Sequence, residues 1–557
     1  MSDVKSLNSE SIKIDGARKS ELEISKQRVI AVSVVFFVIS SLIVMKLFYV
    51  STNPSIIQAK TNQINPSVIR GNILDRNGKI LATSLPSYSL YMDGTKVKDS
   101  QNLLKKLSYI VPNLDEDKII EKISKKKKFI YIKRQLSPKL AGQINLLGEP
   151  SLDFKIEPLR VYPYEKKTGY FVGYMGVDSI PHAGIERSFD ETLEKGNDII
   201  LTIDIRLQSI LFNKLEEGLE KFKAKSAVGI ILNINSGEIL SSVSFPDFNP
   251  NLRSQHKFGG GDDNKVTMAN YEMGSIFKSF TIASALNEDL ITLDSTFDAT
   301  KPLILKGMIV RDFHAKNKIL NLKEVFLYSS NIGSSLIAMQ LGKERQNHYF
   351  DELGLTKKLN IGISEISKPS IPNSYTEPDI ATRSYGYGIA VNPLQVISAL
   401  AATVNGGKYI EPILVDDPFL RNRASVQVFK PEVSEIMKNL YRSVVVDEGG
   451  TASKINIKEY KIGGKTGTAD KARYGGYSKD KINTFVSIFP TSKPKYVLLV
   501  LLDEPKSSKE YIYHYRDGRK PYKGNWRNTA GWTSVEIAGK IIEKIGPILA
   551  TKYMEVN

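Results

Sequence analysis

Val29 to Val50 is apolar except for Ser33, Ser40, Ser41 and Lys46. As a helix it spans roughly 33 Å against about 30 Å of bilayer hydrocarbon. Within lipid a lone segment satisfies its backbone only as a helix, so the run predicts one transmembrane pass. A cleaved secretion signal fits poorly, because a long polar stretch precedes the run and Phe48-Tyr49-Val50-Ser51-Thr52 offers no small-x-small cleavage site. A buried core helix is the other alternative. Lys46, near the exit end, has a stem long enough to reach the interface. Lys5, Lys13, Arg18, Lys19, Lys26 and Arg28 precede the span, whereas only Lys60 follows it closely. The basic bias predicts a cytoplasmic tail over 1–28, a span over 29–50 and the bulk of the chain outside the cytoplasmic membrane.

Acids Asp3, Glu10, Asp15, Glu21 and Glu23 nearly balance the tail, so most of the formal net charge of +17 belongs to the exterior part. A basic exterior suits anionic head groups or carboxylate-rich polymers, while nucleic acid lies in the wrong compartment. Lys125 to Lys128 reads as a solvated surface run. The chain has no cysteine, which excludes disulfides and thiol catalysis.

Beyond the span, Ile69 to Ala82 reads as two strands around Asn77-Gly78, a pair suited to a type I′ turn with positive φ at both central residues. Residues 100–147 carry helical patterns rich in Lys and Leu. A composition change near Ala224 divides the exterior into 51–223 and 224–557. In the second part, Val228–Asn233 with Ile239–Val243, and Thr484–Phe489 with Lys495–Leu502, read as two hairpins. Helical patterns fill the interval, and Thr533 to Leu549 reads as a helix packing on the sheet. This is an α+β arrangement, an antiparallel sheet flanked by helices with a helical insertion.

Three short motifs then stand in order: Ser275-Ile276-Phe277-Lys278, Ser329-Ser330-Asn331 and Lys465-Thr466-Gly467-Thr468. Each has decoys, among them Ser124/Lys127, Ser6/Asn8 and Lys167-Thr168-Gly169, so only the ordered trio in suitable local structure is informative. Ser275 opens a pattern in which Ile276, Phe280, Ala283 and Leu286 recur at helical spacing, placing Lys278 one turn on. A helix start also offers free N–H groups to an oxyanion. The plainer reading is an N-cap and a surface lysine. His182, His256, His314, His348 and His514 form no H-x-x-x-H pair, and Ser275 lies in no G-x-S-x-G elbow, so a histidine triad and a metal site both lack support. Lysine acts as base only when neutral, a shift of about three units that costs roughly 4 kcal/mol. Burial and a second cation produce such shifts, and Lys465 is the candidate cation. Ser329 and Asn331 fall at a loop-to-helix junction. The small residues around Lys465 suit an edge strand that a ligand approaches, with hydroxyls from Thr466 and Thr468.

With this trio in this order, the chain resembles the penicillin-binding proteins and serine β-lactamases. Arg70 to Ala82, Arg160-Val161-Tyr162-Pro163 and Gly184-Ile185-Glu186 are similar to the pedestal motifs of the class B penicillin-binding proteins, and β-lactamases have no pedestal. Tyr385-Gly386-Tyr387-Gly388, Asn392-Pro393-Leu394-Gln395, Leu81 to Pro86 and Thr466 resemble the septal type more than the elongation type. Asn392 departs from that pattern, which usually has Thr. The resemblance implies an elongated, mostly-β pedestal, a transpeptidase domain, and a peptidoglycan D,D-transpeptidase of the division septum that β-lactams inhibit and that needs no cofactor. It implies Ser275 as nucleophile, Lys278 as general base, and Ser329 and Asn331 as relay and positioning groups. Lys465 gives electrostatic support, and Thr466, Gly467 and Thr468 bind substrate. The backbone N–H groups of Ser275 and Thr468 form the oxyanion hole. Implied partners are stem peptides ending in D-Ala-D-Ala, the membrane, a membrane-embedded glycosyltransferase and division-complex proteins. A D,D-carboxypeptidase, a β-lactam sensor and an inactive division scaffold are the alternatives.

Overall fold

The computed structural model describes residues 7–52, 70–176, 178–252, 263–473, 476–507, 511–513, 520–523 and 528–552. The first six residues of the expected tail, and residues 53–69 at the start of the expected pedestal, lie outside them. Residues 1–68 and 69–557 form two compact units. The first unit holds α1 (Leu7–Thr52), one helix that runs through both the tail and the apolar run. Within it Glu23–Tyr49 is long and apolar enough to cross a membrane. Its large apolar side chains are exposed, Phe36 and Phe37 at 72% each. A helix apolar on every side and covered by no protein suits lipid.

The second unit begins with a hairpin between β1 (Ile73–Leu74) and β2 (Ile80–Met92). The expected turn is present but is not type I′. Gly78 has φ +75° while Asn77 is not among the positive-φ residues. The Asp75 carboxylate replaces the second left-handed residue: it accepts the Asn77 and Lys79 N–H groups at 2.7 and 2.8 Å, and the Gly78 N–H closes on the Asp75 carbonyl at 3.0 Å. Three helices follow where helical patterns are expected, α2 (Ser100–Ile110), α3 (Glu116–Ser124) and α4 (Pro138–Asn145), capped by Asp99, Asp115 and Ser137. Between them Ile130–Leu136 is a strand, β3, whose Ile-Tyr-Ile start favours pairing with β2. With β4 (Leu152–Val161) on β2 and β5 (Ile199–Ile200) parallel to β1, the pedestal sheet is complete.

Two cores result. Leu90, Met92, Leu103, Leu104, Leu107 and Ile144 belong to a small one beneath α2 and α4. Ile73, Leu81, Tyr162, Phe171 and Ile185 belong instead to the large core that continues into the C-terminal sheet. At that junction Glu186, on α5 (Gly184–Ser188), is fully buried. It accepts from Arg160 Nε at 2.7 Å, Arg70 Nε at 2.9 Å and the Tyr162 hydroxyl at 3.3 Å, and so ties together the three pedestal motifs.

α6 (Ile205–Lys221) precedes the composition change at 224 yet packs on the following sheet. That sheet comprises β6 (Ser226–Asn233), β7 (Ile239–Phe245), β8 (Gly463–Arg473), β9 (Gly476–Phe489) and β10 (Tyr496–Asp503). Its order is β8-β9-β10-β6-β7 and every pairing is antiparallel. β10 is buried along its whole length, which requires cover on both faces. The helical subdomain supplies α7 (Lys278–Asn287), α8 (Asn331–Leu341), α9 (Pro393–Ala402) and α10 (Pro431–Val446), with α9 against β6 and β10. The C-terminal α11 (Ser534–Lys552) packs with α6 and on β9 and β10.

Candidate active site

The trio converges where α7, α8 and the edge strand β8 meet. Ser275 lies in a 3₁₀ turn, Gly274–Phe277, that runs directly into α7. Every residue of α7 from Lys278 to Leu286 is buried, so the helix has no surface stripe and Lys278 points into the interior. At the second motif Ser330, not Ser329, is the N-cap of α8, accepting from the Gly333 N–H at 2.9 Å. Asp312 takes the remaining donors there, the Asn331 and Ile332 N–H groups at 2.6 and 3.0 Å and the Ser330 hydroxyl at 2.7 Å. With capping done by others, Ser329, at φ +60°, and Asn331 aim their side chains at Lys278. On β8, Gly467 turns away from this cluster: a Cβ there would lie 2.4 Å from the Met273 carbonyl oxygen, so its lack of a side chain lets the Ser275 turn rest on the strand.

Lys278 Nζ is 2.6 Å from Ser275 Oγ, 2.8 Å from Asn331 Oδ1 and 3.4 Å from Ser329 Oγ. The Asn331 amide is oriented by its Nδ2, which donates to the Arg311 carbonyl at 3.0 Å and leaves Oδ1 toward the lysine. These three neighbours match a neutral amine, with N–H bonds to Asn331 and Ser329 and a lone pair for the Ser275 O–H. Burial, then the charge of Lys465, push the Lys278 amine well below its ordinary value, and Asp312 opposes them. Lys465 Nζ donates to Ser329 Oγ at 3.0 Å, and burial pushes its own amine down to about 7. Ser329 therefore bridges the two lysines.

Ser275, Ser329, Asn331, Thr466 and Thr468 line a cavity of about 640 Å³. The Thr466 hydroxyl donates to Thr451 Oγ1 at 2.7 Å. Thr468 Oγ1 accepts the Ala530 N–H at 3.1 Å, which leaves its hydrogen for a ligand. Several wall residues were not expected from the sequence: Arg311, Asp312, Thr451, Lys454 and Trp532. Tyr385 and Tyr387 join them, and the Tyr385 ring centroid lies 5.6 Å from Lys278 Nζ. Among the described residues no group of three or more metal-ligating side chains occurs.

The penicillin-binding protein transpeptidase domain model matches residues 227–518, more than half of the chain and all three motifs. The chain belongs to the penicillin-binding proteins. The dimerisation domain model of this family matches residues 65–200. The probable peptidoglycan D,D-transpeptidase FtsI of Caulobacter vibrioides is 33% identical over 503 residues, covering 87% of this chain and 82% of that protein. The peptidoglycan D,D-transpeptidase FtsI of Escherichia coli K12 is 29% identical over 483 residues, with 80% and 81% covered. The probable peptidoglycan D,D-transpeptidase PenA of Neisseria meningitidis serogroup B is 29% identical over 480 residues, with 79% and 81% covered. In this penicillin-binding protein Asn392 caps α9, exchanging bonds with Gln395 at 3.0 and 3.2 Å. Capping is a role Thr also performs, which accounts for the departure at this position without touching the site.

Proposed function

We propose that this penicillin-binding protein is a membrane-anchored peptidoglycan D,D-transpeptidase of the septal type. The observation that carries the reading is the buried Lys278 amine, depressed in pKa and 2.6 Å from Ser275 Oγ. Ser275 Oγ attacks the carbonyl carbon between the two terminal D-alanines while its proton passes to Lys278 Nζ. The backbone N–H groups of Ser275 and Thr468 receive the oxyanion. The C–N bond then breaks, and the proton returns through Ser329 to the departing D-alanine amine. Asn331 holds the donor peptide, Lys465 keeps Lys278 neutral, and Thr466 and Thr468 bind the terminal carboxylate. An amine of a neighbouring stem peptide attacks the Ser275 ester, releasing the hydroxyl and forming the cross-link.

The tail 1–28 is cytoplasmic, the span is 29–50, and the catalytic part lies outside the cytoplasmic membrane. The pedestal occupies 51–223 and the transpeptidase domain 224–557, with α6 the pedestal's contribution to the catalytic sheet. Relatives named FtsI support a place at the division septum. A membrane-embedded glycosyltransferase and division-complex proteins are the partners this reading calls for. Mass spectrometry of a β-lactam adduct tests the nucleophile: the adduct maps to Ser275, and intact labelling of Ser275→Ala would overturn the assignment. With lipid-linked precursor the expected product is cross-linked, and release of D-alanine alone would assign a carboxypeptidase.

A further inference from the structure

Three residues before Ser275, Glu272 makes contacts that the acyl-transfer reading leaves unused. Its Oε1 accepts the Gly388 backbone N–H at 2.8 Å and the Tyr477 hydroxyl at 3.2 Å. Gly388 ends the Tyr385-Gly386-Tyr387-Gly388 loop, and Tyr477 lies at the start of β9. One carboxylate oxygen therefore joins three chain segments distant in sequence. The attachment is reinforced next door, where Tyr271 and Val391 exchange backbone bonds at 2.9 and 3.1 Å. Oε2 of Glu272 is buried and meets no donor among the described residues. Burial raises this carboxyl above its ordinary value, against the two hydrogen bonds. A carboxylate in such a place costs stability unless its contacts offset it.

The loop that Glu272 holds forms a wall of the candidate site. Its Tyr385 ring faces Lys278, and a Cβ on Gly386 would lie 2.2 Å from the Gly274 carbonyl oxygen, immediately before Ser275. The Tyr387 hydroxyl accepts the Asp470 N–H of β8 at 2.9 Å, two residues beyond Thr468. Tyr387 also packs edge-on against Tyr477, with ring centroids 5.2 Å apart. The loop is thus wedged between the Ser275 turn and β8, the two elements whose separation sets where a hydroxyl and an oxyanion donor stand.

We propose that Glu272 is a positioning residue for acyl transfer, clamping the tyrosine loop so that the Ser275 turn and β8 keep a fixed spacing. The inference rests on the assignment of Ser275 as nucleophile. Acylation of the full-length protein by a fluorescent β-lactam, followed over a concentration series, separates the binding constant K from the acylation rate constant k2. For Glu272→Ala, k2 falls about 10- to 100-fold, the loss expected for the two hydrogen bonds together, while K changes less than about threefold. Glu272→Gln keeps an acceptor oxygen for both donors and restores k2 to within about threefold of the unsubstituted protein. Tyr477→Phe, at a residue 55% exposed, removes one bond and gives an intermediate k2. Unchanged k2 in Glu272→Ala, an equal loss in K, or a Glu272→Gln variant as slow as Glu272→Ala overturns the proposal. Where Glu272→Ala does not fold, Tyr477→Phe decides: an intermediate k2 at constant K upholds the clamp and an unchanged k2 refutes it. Absence of Ser275 labelling in the unsubstituted protein would instead sink the nucleophile assignment itself.

Discussion

Replacing Lys465 by Gln tests how the base is kept neutral. Lys465 Nζ and Lys278 Nζ stand 3.0 and 3.4 Å from Ser329 Oγ, so they are at most about 6.4 Å apart. At an effective dielectric of ~20, two unit charges at that separation repel by roughly 2.6 kcal/mol, or about two pK units. Lys278 serves as base only when neutral, so removing its cationic neighbour raises its pKa and shrinks the neutral fraction at any given acid pH. Lys465, itself at about 7, carries full charge only below that pH, and the two amines titrate as a coupled pair. The acid limb of k2/K against pH therefore moves upward by about 1–2 units in Lys465→Gln, while the alkaline plateau is partly retained because the amide still donates to Ser329. The assay is stopped-flow acylation from pH 5 to 10 with a β-lactam that does not ionise in that range. A limb that stays within about 0.3 units, or moves downward, would refute the reasoning.

Lys465→Met should abolish acylation and stabilise the fold. A fully buried amine brought from 10.5 to about 7 costs roughly 4 kcal/mol near neutral pH, of which lost hydrogen bonds to Ser329 and the Thr466 carbonyl return about 2. Because this folded pKa is depressed, the wild-type penalty is full below 7 and fades as pH rises toward 10.5, so the variant's advantage in denaturant unfolding shrinks over that window. Gly386→Ala places a Cβ 2.2 Å from the Gly274 carbonyl at a residue with φ +85°; β-lactam labelling falls more than about 100-fold and unfolding free energy by about 2–3 kcal/mol. Glu186→Gln leaves the buried Arg160 without a carboxylate and Arg70 with Asp190 alone, and lowers stability by about 3 kcal/mol, while the folded fraction retains its acylation rate.

The trio was legible because its chemistry is carried by short motifs, each in a local structure that periodicity exposes. The strands were legible for a similar reason: β6, β7, β9 and β10 are apolar runs broken by turn residues. What sequence could not reveal was long-range. Asp312 looks like any polar loop residue until α8 is seen to offer it Asn331 and Ile332 N–H groups. Thr451 stands fifteen residues from Thr466 and meets it only because α10 returns the chain to β8. Asn77-Gly78 signalled a turn correctly but not its type, since Asp75 supplied a side-chain acceptor that made the second positive φ unnecessary. Similarly, the composition change near 224 marks where the sheet begins, and not where its covering helix α6 begins.

The buried contacts around Glu186 have a mechanical consequence. The described chain resumes after the anchor at Arg70, whose guanidinium grips the Glu186 side chain, the Glu186 carbonyl and Asp190 within 2.6–2.9 Å. One residue on, Gly71 bonds to Leu193, and β1 then joins β5 and the large core that also holds the catalytic sheet. A load arriving at Arg70 would thus reach the large core within a few residues. The lobe built on Leu90 and Leu104 has a core of its own, outside that path.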